Sequence, residues 1–574
     1  MSDSNSSTPQ SASMNPKIEA HRQIILEGKS KGRAATMLAY ARLSGPGWLQ
    51  SAITLGGGSL ANSLYLGVLG GMAFLWLQPM AMVFGIVMMS AIAYVTLSTE
   101  KRPLREINKH ISPVLGWGWL IASMMANLVW SMPQFALAVA AIRQNLLPGV
   151  LGPEAMPDEM GKTIAAVAVL LVVLVNVLIY NMGGRGVKIF EGLMQAMVGA
   201  IVLSFFGVVI RLVVAGQVDW GALFKGLVPT LSGLFKPAET FAPFLDALSE
   251  GGRLFWEDLI VRQQRDVIIG AAASAVGINM TFLLPYSMLR KGWGRDFRGL
   301  AIFDLSTGLL IPYVLATACV VIASSSQFHA QPAPGFLGET DERGALIEPA
   351  ANLVGPFNGL LKQRLEADLG SDVFTALSED QVESKIAEMP VAERSMAAML
   401  VKRDAFNLAA TLEPLVGSTI ANYLFGIGIL GMALSSCAML MLVNGLCYCE
   451  LVNKPASGRP QQIGSLMVCV GVLGPFLWSG DAKLWLAVPT SAFAMILLPI
   501  AYAVFALLMN NKTILGKDMP SGPMRIFWNV LMAGSCTFAA VGSIWLLWAT
   551  LQWMGIVLFL AFIGIVVMTR KKPN

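Results

Sequence analysis

Apolar stretches of about 20 residues recur along the whole chain, and they constrain its fold more than any other feature. A helix needs about 20 apolar residues to cross the hydrocarbon core of a bilayer. Twelve segments come close to that length: 44–70, 72–98, 114–142, 162–183, 188–214, 266–290, 298–324, 418–446, 462–479, 484–509, 526–549 and 552–569. These stretches are too long for the alternating strands of an outer-membrane barrel. The sequence therefore predicts an all-α polytopic membrane protein.

The overall composition excludes several other classes of protein. Of 574 residues, 55% are hydrophobic and 13% are charged, and the mean hydropathy is +0.63. A soluble enzyme, a disordered protein and a nucleic-acid-binding module all need more charge than this. The sequence has no phosphate-binding loop, nucleotide fingerprint or catalytic triad. We therefore expect no enzyme activity, no cofactor and no nucleic-acid partner, and the lipid bilayer as the surrounding medium.

The basic residues between the stretches predict the orientation. Every short loop after an even-numbered stretch is basic: Lys101, Arg102, Arg105 and Lys109; Arg185 and Lys188; Lys291, Arg295 and Arg298; Lys454 and Arg459; Lys512, Lys517 and Arg525. The long loop 330–415, after an odd-numbered stretch, has 14 acidic and 7 basic residues, a net charge of −7. Since basic loops stay in the cytoplasm, we expect both termini to be cytoplasmic. We expect the protein itself to lie in a bacterial-type inner membrane.

These features divide the chain into successive segments. The sequence predicts a tail 1–42, disordered and then basic and amphipathic; membrane helices 1–7 in 43–324; an external loop or helical cap 325–415; membrane helices 8–12 in 416–569; and a basic tail 570–574. Within the first membrane part, the first repeat covers about 43–214 and an external loop covers 215–265. A solvated spacer is the alternative interpretation of the long external loop.

Two of the twelve stretches contain residues that interrupt a helix. The first has Gly56-Gly57-Gly58-Ser59 at its middle, and the sixth has Gly277 and Asn279. Each glycine costs a helix about 1 kcal/mol relative to alanine. Broken helices at equivalent places in two halves indicate an inverted-repeat transporter that binds its solute between the breaks. We predict both breaks, with Ser59 and Asn62 capping the second half of the first helix; close packing of small residues is the alternative explanation.

Short motifs follow one another along most of the chain. They are Gly45-Pro46, Ala301-Ile302-Phe303-Asp304-Leu305, Phe328-His329, Leu412-Glu413-Pro414-Leu415-Val416-Gly417, Leu424-Phe425-Gly426-Ile427-Gly428, Ser435-Ser436, Leu498-Pro499 and Ile514-Leu515-Gly516. In these motifs the segment 45–570, apart from the insertion 330–411, resembles the NRAMP family of divalent-metal transporters. The resemblance implies a LeuT-type fold, a 5+5 inverted repeat with helices 1 and 6 broken at mid-span, and secondary active transport of a metal ion by alternating access.

The chain departs from the family's pattern at the positions that bind metal. The family's metal-binding Asp and Asn, its sixth-span Met and His, and its third-span acids fall on or near Gly56, Ser59, Asn279, Thr281, Ser131 and Gln134. Nearly every charged or soft ligand is therefore expected to be missing. Neutral oxygens rarely offset the desolvation of Mn²⁺ or Fe²⁺, so the usual proton-coupled transport of these ions is disfavoured.

Two kinds of solute fit such a site. One is a metal ion carried largely hydrated, such as Mg²⁺, which gives up its waters reluctantly; the resemblance favours this one. The other is a small anion or a zwitterion with a carboxylate, held by the N–H groups of glycine-rich half-helix N-termini. The candidate substrate-binding residues are Gln50, Thr54, Gly56, Gly57, Gly58, Ser59, Gly277, Asn279, Thr281 and Gln134. A third hypothesis is a receptor or scaffold on a transporter fold, with the external cap as its interaction surface.

Four further residues are candidates for a coupling ion, H⁺ or Na⁺. Asp304 is a carboxylate within a membrane stretch and a candidate for charge balance or proton coupling, although pairing with Arg295 or Arg298 is the simpler interpretation. Ser435 and Ser436, with the carbonyl of Ala52, are candidates for a sodium site. Their alternative role is that of small packing residues.

Overall fold

A computed structural model describes residues 16–44, 46–182, 184–341, 343–403, 407, 409, 417–477 and 487–571. Over these residues the structure is helical, with one isolated bridge between Thr340 and Leu346. Expectations for 1–15, Gly45, the motif residues 412–416, the ends of two stretches within 478–486 and the last three residues lie outside the described part.

The described residues of the first half of the chain form ten α-helices. They are α1 (Pro16–Ser30), α2 (Arg33–Leu43), α3 (Pro46–Thr54), α4 (Gly57–Gly70), α5 (Leu77–Thr99), α6 (Pro103–His110), α7 (Pro113–Ala141), α8 (Pro148–Leu151), α9 (Asp158–Asn181) and α10 (Gly184–Val214). Proline begins α6 and α7, where its missing N–H costs nothing.

The second half adds the remaining helices. They are α11 (Trp220–Gly226), α12 (Ala242–Leu245), α13 (Glu250–Ala275), α14 (Ile278–Arg290), α15 (Arg298–Gly308), α16 (Leu310–Phe328), α17 (Ala351–Leu369), α18 (Ser371–Thr375), α19 (Glu379–Ala387), α20 (Val391–Leu400), α21 (Ser418–Leu451), α22 (Arg459–Met467), α23 (Gly474–Leu477), α24 (Ala487–Met509), α25 (Lys512–Leu515) and α26 (Gly522–Met568). Ser249 starts α13 by accepting a hydrogen bond from the Gly252 N–H at 3.2 Å.

Nine helical segments in the described part are long and apolar enough to cross a membrane. They are Leu77–Thr99, Pro113–Leu146, Asp158–Tyr180, Glu250–Arg290, Arg295–Phe328, Ala421–Leu451, Arg459–Leu477, Ala487–Met509 and Gly522–Met568. The first predicted stretch is divided between α3 and α4, each too short to span alone, and the fifth corresponds to α10. The last segment contains the two final predicted stretches.

The long helix α26 turns back on itself at Gln552, which has φ 49° and ψ −132°. Just before this helix, the Asp518 carbonyl accepts a hydrogen bond from the Tyr94 hydroxyl at 2.8 Å. Just after it, the Lys571 N–H donates to the Ile111 carbonyl at 2.8 Å. Both ends therefore lie beside the loop region that links α5 to α7, as two antiparallel spans require.

One face of the molecule collects the basic loops and both described ends of the chain. Arg22 of α1 pairs with Asp296 at 2.6 Å, and Arg102 pairs with Glu450 at 2.7 Å. Asp518 binds both Arg298, at 3.2 Å, and Arg295. We call this the basic face. Its assignment to the cytoplasm remains a prediction from the charge distribution.

The opposite face carries a folded helical cap, α17 to α20. Its core includes Leu361 and Met396, both fully buried. Arg403 holds the end of the cap by donating to the carbonyls of Phe328, at 2.9 Å, and Ala398, at 3.1 Å. The described residues 351–403 are thus packed together in this structure.

The broken helices lie at the centre of the bundle. In the most apolar window of Glu250–Arg290, 89% of the residues are buried, compared with 6% for Gly522–Met568. Because α13 and α14 are enclosed by protein, unpaired backbone groups at their break are shielded from lipid. This central position is what makes an internal polar site feasible.

Candidate solute-binding cavity

Two helix breaks face each other in the middle of the bundle. The first break is at Leu55 and Gly56, between α3 and α4, and the second is at Val276 and Gly277, between α13 and α14. Gly56 and Gly277 are both extended, with ψ of −179° and 154°. The first break comes at the start of the predicted glycine run, because Gly57 and Gly58 already belong to α4.

A cavity of about 50 Å³ lies between the two breaks. This volume accommodates a few water molecules. Its lining comes from both breaks and from α7, α21 and α24: Ile53, Thr54, Gly56, Gly58, Ser59, Trp130, Pro133, Gln134, Ala273, Ser274, Gly277, Met280, Ser436, Leu440, Thr490 and Ser491. None of these residues is charged. Among the described residues there is also no group of three or more His, Cys, Asp or Glu placed to hold a metal ion.

The hydroxyl groups of the cavity all donate to backbone carbonyls. Thr54 donates to the Gln50 carbonyl at 3.2 Å, and Ser491 donates to the Ala487 carbonyl at 2.6 Å. The other four are Ser59 to Thr54, Ser274 to Ala271, Ser436 to Ala52 and Thr490 to Ala487. A carbonyl oxygen only accepts, so each of these hydroxyls uses its proton in that bond. The oxygen lone pairs of Thr54, Ser59, Ser274, Ser436 and Ser491 remain as acceptors, and the cavity is therefore rich in hydrogen-bond acceptors.

Two side chains accept hydrogen bonds from backbone N–H groups at the helix breaks. The Gly57 N–H donates to Gln134 Oε1 at 3.0 Å, and the Gly277 N–H donates to Met280 Sδ at 3.4 Å. The prediction that Ser59 and Asn62 cap α4 is therefore wrong. Ser59 instead donates to the Thr54 carbonyl, and Asn62 Nδ2 donates to the Gly58 carbonyl at 2.7 Å.

Ser59 links the two broken helices directly. Besides the Thr54 carbonyl at the end of α3, its hydroxyl contacts the Ser274 carbonyl near the end of α13, at 3.4 Å. Both carbonyls belong to C-terminal half-helix ends, which carry partial negative charge. The Ser59 hydroxyl therefore connects the C-terminal ends of α3 and α13, whose partial negative charges both face the cavity.

Several predicted site residues lie outside the cavity. Gln50 is fully buried, and neither end of its amide has a hydrogen-bond partner in the described structure. Asn279 Nδ2 donates to Asn127 Oδ1 at 3.0 Å, and Thr281 accepts from the Trp119 indole N–H at 2.9 Å. The structure therefore places Thr54, Gly56, Gly58, Ser59, Gly277 and Gln134 at the cavity, with Gly57 beside it.

The expectation that the sixth-span methionine is missing does not match the geometry. Helix α14 begins at Ile278, and this start directs position 280 towards the cavity. Met280 Sδ lies 3.3 Å from Thr54 Oγ1. One soft donor is thus present, whereas Asn279, one residue earlier, points into helix packing.

The candidate coupling residues have protein partners. Asp304 accepts a hydrogen bond from the Ser44 hydroxyl, and the pairing with Arg295 or Arg298 is wrong because both arginines bind Asp518. The Ala52 carbonyl accepts from Ser435 at 3.3 Å and from Ser436 at 3.5 Å. Only Ser436 of these residues also lines the cavity.

Sequence reasoning missed the contribution of α24 and of the end of α13. Thr490, Ser491 and Ser274 add three hydroxyls to the cavity, and the Trp130 indole donates to the Thr490 carbonyl at 2.9 Å. Hydroxyl residues are common in membrane helices as interhelical hydrogen-bonding groups, so their presence alone gives no signal. Their convergence on the breaks is visible only once the helices are packed.

The comparisons with known proteins agree with this architecture. The family model described as natural resistance-associated macrophage protein-like matches residues 47–357 and 390–549. The chain belongs to the Nramp family. Members of this family are multi-pass membrane transporters of divalent metal ions, so the expectation that the chain is a transporter and not an enzyme is confirmed. No curated protein sequence matches the chain.

Solved structures show the same fold. The manganese transporter of Eremococcus coleocola matches as a single-residue variant and as a complex with an aromatic bis-isothiourea substituted compound, each with a TM-score of 0.60. Identity is 15%, and the match covers 93% of this chain and 94% of the other. A second variant gives a TM-score of 0.61. The predicted all-helical transporter fold is confirmed, whereas the solute of this Nramp protein is a separate question.

Proposed function

We propose that this Nramp protein moves a divalent metal ion across the membrane by alternating access and binds it in the central cavity. The observation that supports a cation is the direction of the hydrogen bonds. The hydroxyls of Thr54, Ser59, Ser274, Ser436 and Ser491 present lone pairs to the cavity, and the N–H groups of Gly57 and Gly277 are occupied by side chains. Acceptors suit a metal ion or the waters around it, whereas an anion needs donors.

We propose further that the ion keeps part of its hydration shell, as Mg²⁺ does. Among the described residues no carboxylate lines the cavity, so a bare divalent ion would lose its hydration without a compensating charge. A volume of about 50 Å³ is too small for an ion with a complete shell of six waters. Protein oxygens therefore replace some of the waters, or the cavity widens in another state of the transport cycle.

Uptake into proteoliposomes tests this proposal. Purified protein is reconstituted with a metal-sensitive dye inside, and Mg²⁺ and Mn²⁺ are compared under otherwise identical conditions. We expect uptake of Mg²⁺ to exceed that of Mn²⁺ and to depend on the protein. Mn²⁺ uptake equal to or faster than that of Mg²⁺ would contradict the hydrated-ion proposal and leave metal transport itself standing.

Met280→Leu separates the two kinds of metal ion. Thioether sulfur favours softer transition metals over Mg²⁺. Leucine has a similar volume, so packing around the cavity should change little. We expect Mg²⁺ uptake to be nearly unchanged, with Mn²⁺ uptake, where present, reduced severalfold. A large loss of Mg²⁺ uptake would show that the sulfur, or its contact with Thr54, is needed for transport.

A small anion or a zwitterion with a carboxylate is the second candidate. The positive N-terminal ends of α4 and α14 both open at a cavity without acidic residues, which supports it. A carboxylate at Gly56 distinguishes the two, but its Cβ would lie 2.6 Å from Ser436 Oγ. The test therefore uses Gly56→Asp with Ser436→Ala, and the matched control is Gly56→Asn with Ser436→Ala.

These two double variants give opposite results for the two solutes. If the solute is a metal ion, the aspartate variant binds it more tightly than the asparagine variant. If the solute is an anion, the aspartate variant loses bicarbonate, chloride or amino-acid uptake that the asparagine variant retains. If neither variant nor the parent protein is stabilised by any of these solutes, the receptor or scaffold hypothesis is favoured.

Coupling to H⁺ or Na⁺ is also part of the proposal. Asp304→Asn removes the membrane carboxylate and should abolish any dependence of uptake on a pH gradient if Asp304 carries the proton. Ser435→Ala with Ser436→Ala removes both hydroxyls at the Ala52 carbonyl and should abolish any dependence on Na⁺. Uptake that keeps its ion dependence in these variants would remove the corresponding residues from the coupling mechanism.

A further inference from the structure

A deep groove opens on the basic face, far from the central cavity. It lies where the end of α6, the end of α24 and the final residues of the described chain meet, and its volume is about 530 Å³. Four of its lining residues are His110, Lys512, Arg570 and Lys571, and Ile111 and Leu507 add an apolar part. None of its described lining residues is acidic.

Three of the basic side chains of this groove lack carboxylate partners in the described structure, whereas His110 Nε2 lies 3.6 Å from a Glu106 carboxylate oxygen. Lys512, Arg570 and Lys571 are exposed, and no described carboxylate lies within 4 Å of their side-chain nitrogens. A neighbouring pocket of about 390 Å³ differs in this respect, because Arg102 pairs with Glu450 at 2.7 Å and Lys101 with Glu106 at 3.6 Å. Unneutralised positive charge therefore concentrates in the groove.

The backbone fixes the C-terminal part of the groove in place. The Lys571 N–H donates to the Ile111 carbonyl at 2.8 Å, and the hydroxyls of Ser112 and Thr569 lie 2.8 Å apart. The basic residues thus sit on an anchored segment. An anchored set of donors binds a multivalent anion with less loss of conformational freedom than a flexible tail does.

The groove also lies at the end of the most exposed apolar helix. After its turn at Gln552, α26 presents apolar side chains outward, with Trp553 71% exposed and Met568 86% exposed. Lipid chains would lie along this surface in a bilayer. Since α26 ends one residue before Thr569, the headgroup of such a lipid would reach the level of Arg570 and Lys571.

We propose that this groove binds the phosphate of an anionic phospholipid whose acyl chains lie along the second half of α26. Basic pockets between membrane helices on the cytoplasmic side are suited to anionic headgroups. Arginine and lysine provide charge-assisted hydrogen bonds to phosphate, and Asn510 and Thr513 line the same groove with further polar groups. The apolar Ile111 and Leu507 suit the glycerol part of the lipid.

Native mass spectrometry of the full chain in a neutral detergent tests the proposal. Phosphatidylglycerol and phosphatidylcholine are titrated separately, and the apparent affinity of the first bound lipid is measured. The groove variant carries Lys512→Gln, Arg570→Gln and Lys571→Gln. The matched control carries Arg33→Gln, Lys454→Gln and Arg459→Gln, the same change of charge on the same face outside the groove.

We expect phosphatidylglycerol to bind more tightly than phosphatidylcholine to the parent protein and to the control. Each charge removed from the groove should weaken phosphatidylglycerol binding roughly fivefold, so the triple variant should lose at least tenfold. If the triple variant is not monodisperse, Arg570→Gln alone replaces it, and the expected loss of phosphatidylglycerol affinity is then smaller. Equal affinity of the groove variant and the control would overturn the proposal. So would equal binding of the two lipids, or inorganic phosphate alone binding as tightly as the lipid.

Discussion

Two of the buried polar regions in the described part of the protein differ in whether they contain charged residues. Under the cap, Glu393 is 5% exposed, pairs with Arg364 at 3.1 Å and accepts a hydrogen bond from the Trp256 indole. Burial lowers the pKa of Arg403, nearby in the chain, to about 10. The central cavity, in contrast, is lined by neutral groups. Charged side chains are buried where they join structural elements, and they are missing from the described lining of the cavity that we propose as the solute site.

This difference teaches how the two regions respond to substitution. A buried ion pair is costly to break because the remaining charge has no partner. In a neutral cavity whose hydroxyls already bond to the backbone, a substitution should lower the free energy of unfolding less. Such a substitution should change solute affinity more than stability. The predictions that follow test this contrast.

Glu393→Ala should have the largest effect on stability. It removes the buried acceptor of the Trp256 N–H and the buried partner of Arg364, which keeps only the more exposed Asp368, and this costs about 3–5 kcal/mol. Thermal unfolding of the purified full chain measures the loss. The control is Asp368→Asn, which removes the more exposed partner of Arg364 and should cost less than about 1 kcal/mol. Equal losses for the two variants would mean that the buried pair does not hold the cap.

Asn279→Leu should have an intermediate effect that is confined to stability. It leaves the Asn127 amide buried without its partner, at a cost of about 1–3 kcal/mol. The double variant Asn127→Leu with Asn279→Leu should recover much of that loss, since no polar group remains unpaired. The apparent KM for the transported ion should stay within a factor of two in both variants. A KM change of tenfold would place Asn279 at the solute after all.

The pH dependence due to His329 should be the smallest effect. His329 Nδ1 donates to the Val68 carbonyl at 2.9 Å, Nε2 lies 2.6 Å from Thr240 Oγ1, and burial lowers the pKa of the imidazole below its usual 6.5. A lowered folded-state pKa means that protonation opposes folding. The contribution to stability is thus complete above pH 6.5 and is lost as the pH falls through the folded-state pKa.

His329→Gln provides the comparison for that pH effect. Glutamine keeps a donor and an acceptor but does not titrate, so its melting temperature should fall less than that of the parent between pH 7 and pH 5. Identical pH profiles for the two proteins would assign the acid sensitivity to other groups.

Much of the fold follows from the sequence, because each helix that crosses the membrane needs about 20 apolar residues. The apolar stretches, the two breaks and the grouping of basic loops on one face depend on local composition. The pairing of Arg295 and Arg298 with Asp518 does not, since Asp518 lies more than 200 residues away in the chain. Proximity in sequence wrongly favoured Asp304 for the two arginines.

The candidate site was harder to predict than the fold. The residues at the first break follow from its glycines, and Gly56 and Ser59 line the cavity. At the second break the side chain that faces the cavity depends on where α14 begins. A shift of one residue turns a side chain by about 100° on a helix. The sequence therefore directed attention to Asn279, whereas Met280 is the residue at the cavity.

Gln134→Glu tests most directly whether the neutral cavity serves a metal ion. Gln134 lines the cavity and accepts from the Gly57 N–H, and a glutamate keeps that bond while replacing the amide N–H₂ with an oxygen acceptor of the same size. The dissociation constant of the transported divalent ion is measured at pH 8, where the new carboxyl should be ionised, with Gln134→Met as the neutral control. Attraction between the carboxylate and the ion should tighten binding at least about tenfold relative to that control. Weaker metal binding than in the control, or a loss of anion uptake that the control retains, would contradict the account.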